Sequence, residues 1–566
     1  MNIIDRFKRL IDNKRADFIR LRLKNSYLAG GLESLKEEVD CVVSNFAEHE
    51  KLLYSTATDF NKSGNHDASA LISTVLIGIR EIERYYRMHF WASQKNSDFL
   101  QASKAGVWLE NKYGKKPTIK QQEFLTKLHR SPTYQLSLLK ELDVQKLSFD
   151  DFASDKIAYF LHNSLPYSSG GYATRGHGLA VALANAGYDV TCVTRPGYPF
   201  DVPPKDERLD VPLEDIIDGI SYQRLLSPRR DEHSAKDYML QAADIIEGKL
   251  KELRPSLVIG ASNHVTALPA LIASKRLGVP FIYEVRGFWE ITRISREPEF
   301  AKKPAFNVQK ILETEVAKHA AHVFTLTRGM KNELCVRGVE SNTISILPNS
   351  CDVTKFNPSE KDHLLAAELG YPPNIPVIGY IGTFVQYEGL EHLVQACSLL
   401  KLRGKEFRLL LVGNENASGS ERGPITKAIE DIAAENGMGD WVTMPGRIPH
   451  EDVPRYYSLI EIAPFPRKPQ PVTELVSPMK PLEALSMKKA IVVSGVAALS
   501  EMVRDGVTGL VFEKGNIEDL ADKLEVLIDD AKLRDRLGEA GRKWVFENRT
   551  WDKVARDAAK KINELC

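Results

Sequence analysis

The 566-residue chain is long enough for three or four domain-sized units, and its 43% hydrophobic content is ordinary for a protein with several cores. Lysine plus arginine and aspartate plus glutamate balance at 76 each, which argues against a nucleic-acid partner held by bulk charge. The six cysteines, Cys41, Cys192, Cys335, Cys351, Cys397 and Cys566, form no CxxC pair and none has a histidine at zinc-ligand spacing, so reduced thiols and no metal site are expected.

The first nine residues, Met1 to Arg9, lack an apolar core of signal-peptide length. Nowhere do about 18 consecutive apolar residues occur, so no transmembrane helix is expected. The expected location is the cytoplasm, with room for peripheral contact at the inner face of a membrane.

The segment 1–150 reads as helices separated by short polar breaks. Leu32, Leu35, Val39, Val42, Val43 and Phe46 suggest one amphipathic stripe, and Leu71, Val75, Leu76, Ile79 and Ile82 another. Tyr85, Tyr86, His89, Phe90 and Trp91 form an aromatic, partly basic patch. Two readings stay open for it: core packing, or a surface for a partner, a membrane or an acceptor.

From Asp155 short β-rich runs alternate with helical stretches. Ile157 to Leu161 is the first run. A helix from about Tyr172 to Ala186 separates it from Val190 to Thr194. Leu257 to Ile259, Phe281 to Val285, Val323 to Leu326 and Ile344 to Leu347 follow. This alternation predicts a parallel sheet wrapped by helices. The same programme restarts at Pro376 to Ile381 and continues through Leu409 to Val412, Trp441 to Met444, Ile460 to Ala463, Ala490 to Val493 and Leu510 to Phe512. The turn-rich stretch from Asn357 to Pro376 marks the boundary. The expected domains are 1–150, 151–370 and 371–548, with 549–566 as a helix returning to the second of these. Two doubly wound domains in series leave a cleft between the carboxyl ends of their strands, where ligands sit.

Three loops carry candidate chemistry. At the first strand–helix junction, Gly170 and Gly171 open a helix and would let a ligand approach its N-terminus, although the residues alone leave a plain tight turn open. The junction is not GxGxxG and has no acid placed to read a nicotinamide cofactor. In the second series Gly382 and Thr383 follow a strand, and their amides would donate to a phosphate. The run from Phe465 to Leu485 follows a buried strand and enters a helix near Pro481. Amides around Ser477, Pro478 and Met479 would bind an anion. Lys480 would place a charge beside a diphosphate, and Glu483, a turn on, would accept from two ribose hydroxyls. A capped surface helix is the bland alternative.

With these motifs on the page, the chain from about Ile157 to Ala559 resembles the glycosyltransferase 4 family, whose GT-B fold sets two Rossmann-like domains across a cleft. The carrying motifs are the run from Gly170 to Ala180, Pro348 to Pro358, Gly379 to Phe384, Ser477 to Leu485, and Gly506 to Phe512, the last read as a late hairpin. Tyr283 to Glu290 looks like a subgroup acting in bacterial surface-polysaccharide assembly. The resemblance implies a retaining, metal-independent transferase that uses a nucleotide diphosphate sugar (UDP- or GDP-sugar) and no cofactor. Its acceptor would be a glycan or lipid-linked. It also implies front-face transfer, in which the leaving diphosphate takes the acceptor's proton.

By the same resemblance Glu483 holds the ribose, Lys480 and the Ser477 to Met479 amides face the diphosphate, and Gly171 approaches the donor from the other domain. His177, Arg286 and Glu284 are the acceptor-side candidates, with His177 expected to be catalytic together with Lys480. Two departures stand out. The family's first Glu would fall at Leu475, so Glu474 or Thr473 is expected to serve instead, Glu474 as a catalytic residue. The loop from Phe384 to Gly389 lacks the usual cations, so Lys480, Arg467 or Lys468 would replace them. The rival readings are a sugar-nucleotide epimerase of the same fold and an inactive nucleotide-binding scaffold in a polysaccharide assembly complex. The helical segment is expected to serve a membrane, a partner or the acceptor.

Overall fold

The computed structural model describes residues 3–45, 49–143, 153–201, 210–415 and 423–565. They fall into two compact units, Met1–Lys140 with Lys302–Ile311, and Glu141–Ala301 with Leu312–Cys566. The expected boundary at 150 and 151, Phe46 of the first stripe, and Cys566 lie outside the described residues.

The first unit is helical: α1 (Ile3–Asn45), α2 (His49–Lys62), α3 (His66–Ile79), α4 (Glu83–Lys95), α5 (Phe99–Tyr113) and α6 (Ile119–Arg130). α1 is broken where Gly30 and Gly31 leave helical geometry, Gly31 at φ +65°. Thr118 and Gln121 close a capping box at the start of α6. The first stripe holds for Leu35, Val39 and Val42, which are fully buried, whereas Leu32, next to the break, is exposed. In α3 the buried face is Ala68, Ile72 and Leu76. Ile79, expected on that face, is exposed because α3 ends there and the chain turns away at Arg80. The aromatic patch is mostly core. Tyr85, His89 and Phe90 are buried, and Phe90 meets Phe124 edge-on at 5.2 Å; only Trp91 is largely exposed.

The second unit holds two sheets. The strands are β1 (Ala153–Leu161), β2 (Asp189–Thr194), β3 (Glu214–Ile217), β4 (Ile220–Gln223), β5 (Pro255–Ala261), β6 (Phe281–Val285), β7 (His322–Thr325), β8 (Ile344–Ile346), β9 (Val377–Ile381), β10 (Arg408–Val412), β11 (Val442–Gly446), β12 (Ile462–Phe465), β13 (Ala490–Ser494) and β14 (Leu510–Phe512). The first sheet runs β3-β4-β2-β1-β5-β6-β7-β8 and the second β11-β10-β9-β12-β13-β14. All pairings are parallel except the β3–β4 hairpin. Strands such as Phe281–Val285 and Ala490–Ser494 are buried on both faces, as parallel strands covered by helices must be.

The chain leaves the first sheet at Ile346 and enters the second at Val377. The stretch read as a late hairpin is a turn, closed by the Gly506 N–H to the Gly509 oxygen at 2.9 Å. It leads into β14, which pairs in parallel with β13. The last helix, Trp551–Asn563, returns to the first sheet. Trp551, Val554, Ala555, Ala558 and Ile562 join the core of Ile157, Leu179 and Leu257. Gly178 permits this docking, since a Cβ there would sit 2.5 Å from the Trp551 indole. Among the described residues no helix is long and apolar enough to cross a membrane.

Candidate functional site

The carboxyl ends of the parallel strands carry the loops of the site. After β12, the loop 466–479 leads into the Lys480–Ser486 helix. Its shape is held from inside. Thr473 Oγ1 accepts from the Gln470 N–H at 3.0 Å and donates to the Lys468 oxygen at 2.6 Å. Buried Arg467 donates to the Val476 oxygen at 2.8 Å and pairs with buried Glu388 at 3.3 Å. The first sheet's loops hold it too: Thr327 Oγ1 donates to the Leu475 oxygen at 2.6 Å, and Asn349 Nδ2 to the Ser477 oxygen at 2.7 Å.

A buried ion cluster supports that grip. Glu284, with 0% exposure, accepts from Arg175 Nε and Arg286 Nε, both at 2.8 Å, and from the Tyr159 hydroxyl. Burial opposes its charge, but Arg286 and Arg175 overcome this and hold its carboxyl at about 2. Arg175 also donates to the Leu347 oxygen at 2.8 Å and to Asn349 Oδ1 at 3.1 Å. Each charge is hydrogen-bonded on several sides, which a buried ion group requires.

The Lys480 ammonium donates to the Tyr380 hydroxyl at 2.8 Å and lies 5.1 Å from that ring's centre. It packs on Gly382, where a Cβ would meet Lys480 Cε at 1.9 Å and where φ is +153°. Burial pushes the Lys480 ammonium below its ordinary range, with Glu388 countering. Glu483 lies one turn further along the same helix. Burial pushes its carboxyl up to about 7, against the pull of Lys480 and Lys355.

Glu483 and Met479 line a cavity of about 460 Å³, together with Lys355, His450, Thr174 and His177. Such a volume suits a small ligand. His177 is fixed there by Tyr222, whose hydroxyl lies 2.8 Å from Nδ1, and by Asp218, 2.9 Å from Nε2. Asp218 stands at the tip of the β3–β4 hairpin with φ +49°. Among the described residues no three or more His, Cys, Asp or Glu side chains are grouped to hold a metal ion.

The family described as Glycosyl transferase 4-like domain matches residues 170–350, and that described as Glycosyl transferases group 1 matches residues 364–544, together more than half of the chain. The chain belongs to the glycosyltransferase 4 family. Alpha-D-kanosaminyltransferase of Streptomyces kanamyceticus is 27% identical to this chain over 164 residues, 29% of this chain and 39% of that relative, so the alignment spans under half of the relative's length. D-inositol 3-phosphate glycosyltransferase of Rhodococcus opacus (strain B4) is 23% identical over 388 residues, 66% of this chain and 81% of the relative. Among solved structures, sucrose-phosphate synthase from Thermosynechococcus elongatus aligns with a TM-score of 0.59 at 20% identity, over 73% of this chain and 99% of that one. Anabaena Alr3699/HepE in complex with UDP-glucose aligns at 0.55 and 14% identity, over 72% and 99%. The structural likeness is one of fold: two Rossmann-like domains of the GT-B type, here with an added N-terminal helical region.

Within this chain the expected site residues separate. His177, Met479 and Glu483 line the cavity together. Lys480 sits between Glu483 and Gly382. Of the three cations expected to fill the gap in the loop 384–389, Arg467 is held by Glu388 and Lys468 by Glu391, while Lys480 donates to the Tyr380 hydroxyl and forms no ion pair among the described residues. Gly170 and Gly171 stand at the N-terminus of the Gly171–Asn185 helix, where a Cβ on either would meet nothing within 4 Å, so the protein's own packing does not demand glycine there.

Other expected site residues have partners within the protein. Glu474 accepts from the Ala497 N–H at 2.7 Å and pairs with Lys514 at 2.7 Å. Thr473 is fully buried and holds the loop from within. Glu284 and Arg286, expected on the acceptor side, are buried and paired with each other and with Arg175, so their charged groups are taken up within the protein. The Gly382 N–H is already donated to the Val412 oxygen at 2.8 Å, while Thr383 is exposed. Pro478 has no N–H to give, and the Ser477 side chain is buried. Asn349, Tyr380, Asp218 and His450 were missed. Asn349 stands inside a quoted motif, but its grip on Ser477 is a contact between the two sheets that spacing does not reveal.

Proposed function

We propose that this glycosyltransferase moves a sugar from a nucleoside diphosphate sugar to a glycan or lipid-linked acceptor, with retention of configuration and without a metal. The observation that carries this reading is the cavity shared by the two sheets, with Glu483 and Met479 on one wall and Thr174 and His177 on the other. Glu483 is suited to accept from two ribose hydroxyls there. Lys480, which forms no ion pair among the described residues, is suited to stabilise the charge that grows on the leaving diphosphate. As the bond from the sugar to the diphosphate breaks and the bond to the acceptor oxygen forms, that diphosphate oxygen takes the acceptor's proton. The likeness of Tyr283 to Glu290 to a bacterial surface-polysaccharide subgroup supports a place in capsule, exopolysaccharide or O-antigen synthesis, on the cytoplasmic side of the membrane.

One observation favours a second reading, an inactive nucleotide-binding scaffold. The acid nearest the family's first Glu position, Glu474, is tied to Lys514. A thermal-shift panel of UDP- and GDP-sugars, followed by product analysis with candidate acceptors, separates the two. Nucleoside diphosphate release that requires an acceptor supports transfer. Stabilisation by a nucleotide sugar with no turnover under any acceptor supports the scaffold, and conversion of the donor alone supports an epimerase.

A further inference from the structure

Helix α1 presents two apolar faces. Ile19 and Leu23 are buried in the core of the helical unit. On the opposite side Phe18, Leu21 and Leu28 recur at helical spacing and are 60%, 57% and 78% exposed. Large apolar side chains aligned along one exposed face are not scattered surface residues, and they call for a partner. The charge around them limits which partner fits. Residues 3–30 carry eight lysines and arginines against three aspartates, in a chain whose overall charge is balanced. Lys14 is exposed; the Arg22 guanidinium lies over the Phe18 ring at 5.9 Å and pairs with Glu38 at 2.8 Å, and Lys24 pairs with Asp59 at 3.4 Å.

A second copy of the chain would bring this basic helix against itself, where like charges repel. An anionic lipid surface meets both demands at once. Its acyl boundary takes the apolar stripe and its headgroups take the cations flanking it. We propose that the Phe18, Leu21 and Leu28 face of α1 docks the helical unit on a membrane rich in anionic phospholipid, with the helix lying in the plane of the interface. This assignment does not depend on the sugar-transfer reading.

The test is co-sedimentation of the full chain with vesicles of phosphatidylcholine alone or of phosphatidylcholine and phosphatidylglycerol at seven to three. The parent protein is expected in the pellet with the anionic vesicles, with partitioning at least about tenfold weaker on phosphatidylcholine, and weaker again as salt is raised. The variant Phe18→Ser, Leu21→Ser, Leu28→Ser is expected to lose about tenfold in binding with an unchanged circular-dichroism melt, since all three side chains are exposed. Lys14→Glu provides a second variant that leaves the apolar stripe intact, and it should weaken binding to the anionic vesicles only. A parent protein that stays in the supernatant, or a triple variant that pellets like the parent, overturns the proposal. So does a sedimentation-velocity result in which the parent is a dimer, the triple variant a monomer, and neither binds vesicles.

Discussion

Lys480 and Glu483 share one helix turn and are both half-buried, and partial burial shifts their pKa values in opposite directions. It disfavours the ammonium of Lys480 and the carboxylate of Glu483 alike, lowering the first and raising the second to about 7. A ligand that donates hydroxyl protons to Glu483 and presents phosphate oxygens to Lys480 favours both charged forms. Replacing Lys480 with alanine should therefore lower kcat by about a hundred- to a thousandfold, the usual effect of losing one charge-stabilising donor. The melting temperature should not fall in step, because the folded state gains little from a desolvated cation. Turnover within about threefold of the parent would remove Lys480 from the diphosphate site.

The sign for Glu483 follows from linkage. Its folded pKa lies above its unfolded value, so the proton is held more tightly in the folded protein. The cost to stability grows as pH rises from the unfolded pKa toward about 7 and is constant above it. Nucleotide-sugar binding that requires the carboxylate must release that proton. Affinity is expected to rise with pH between about 6 and 8 and then level off. Calorimetry with the nucleotide sugar selected by thermal shift, whose bridging diphosphate does not titrate in this range, should show the rise in the parent and a flat, weaker profile in Glu483→Gln. An identical profile in both proteins would detach Glu483 from the ribose.

Among the elements, the Trp551–Asn563 helix fits closely on the Gly171–Asn185 helix. Gly178 has no room for a side chain against Trp551. Gly178→Ala should cost about 1–3 kcal/mol by overpacking, seen as a lowered melting temperature, with partial recovery when Trp551→Leu is added. An unaltered melt would show that the two helices part more easily than their packing implies. This contact was only half legible. The apolar spacing of Trp551, Val554, Ala555, Ala558 and Ile562 announces an amphipathic helix, and the family resemblance announces where it goes. The glycine that receives it looks like any other in a glycine-rich run. The β3–β4 hairpin was missed for a different reason. Its strands are half exposed and carry Glu214, Asp215 and Gln223, so they lack the unbroken apolar runs that betray the buried strands. The signal was present in Asp218-Gly219, a dipeptide that favours a tight hairpin turn. It matters functionally, because that turn delivers Asp218 to His177.

At the scale of the whole molecule, the parallel strands and the switch between sheets were legible because continuous apolar runs between helical stretches have few other folds open to them. The stretch from Phe465 to Glu483 was legible as the end of a strand, a loop and the start of a helix. What the sequence hides is how distant charges pair. Arg467, Thr473, Glu474, Glu284 and Arg286 stand in or beside the motifs, and each has a partner within the protein that spacing does not reveal. Polar residues in a functional motif either touch the ligand or position what does, and only the three-dimensional partners distinguish the two. The account that results is narrower than the motif. It rests on Glu483, Lys480 and the cavity that Glu483 shares with His177.

The most direct test of sugar transfer is a proton NMR time course of the donor's anomeric signal, recorded on one nucleotide sugar with and without acceptor. The account predicts that the donor signal is stable alone. On addition of acceptor a product signal should replace it, with a coupling constant showing the same anomeric configuration. Loss of the donor signal without acceptor, or a product of inverted configuration, would contradict it.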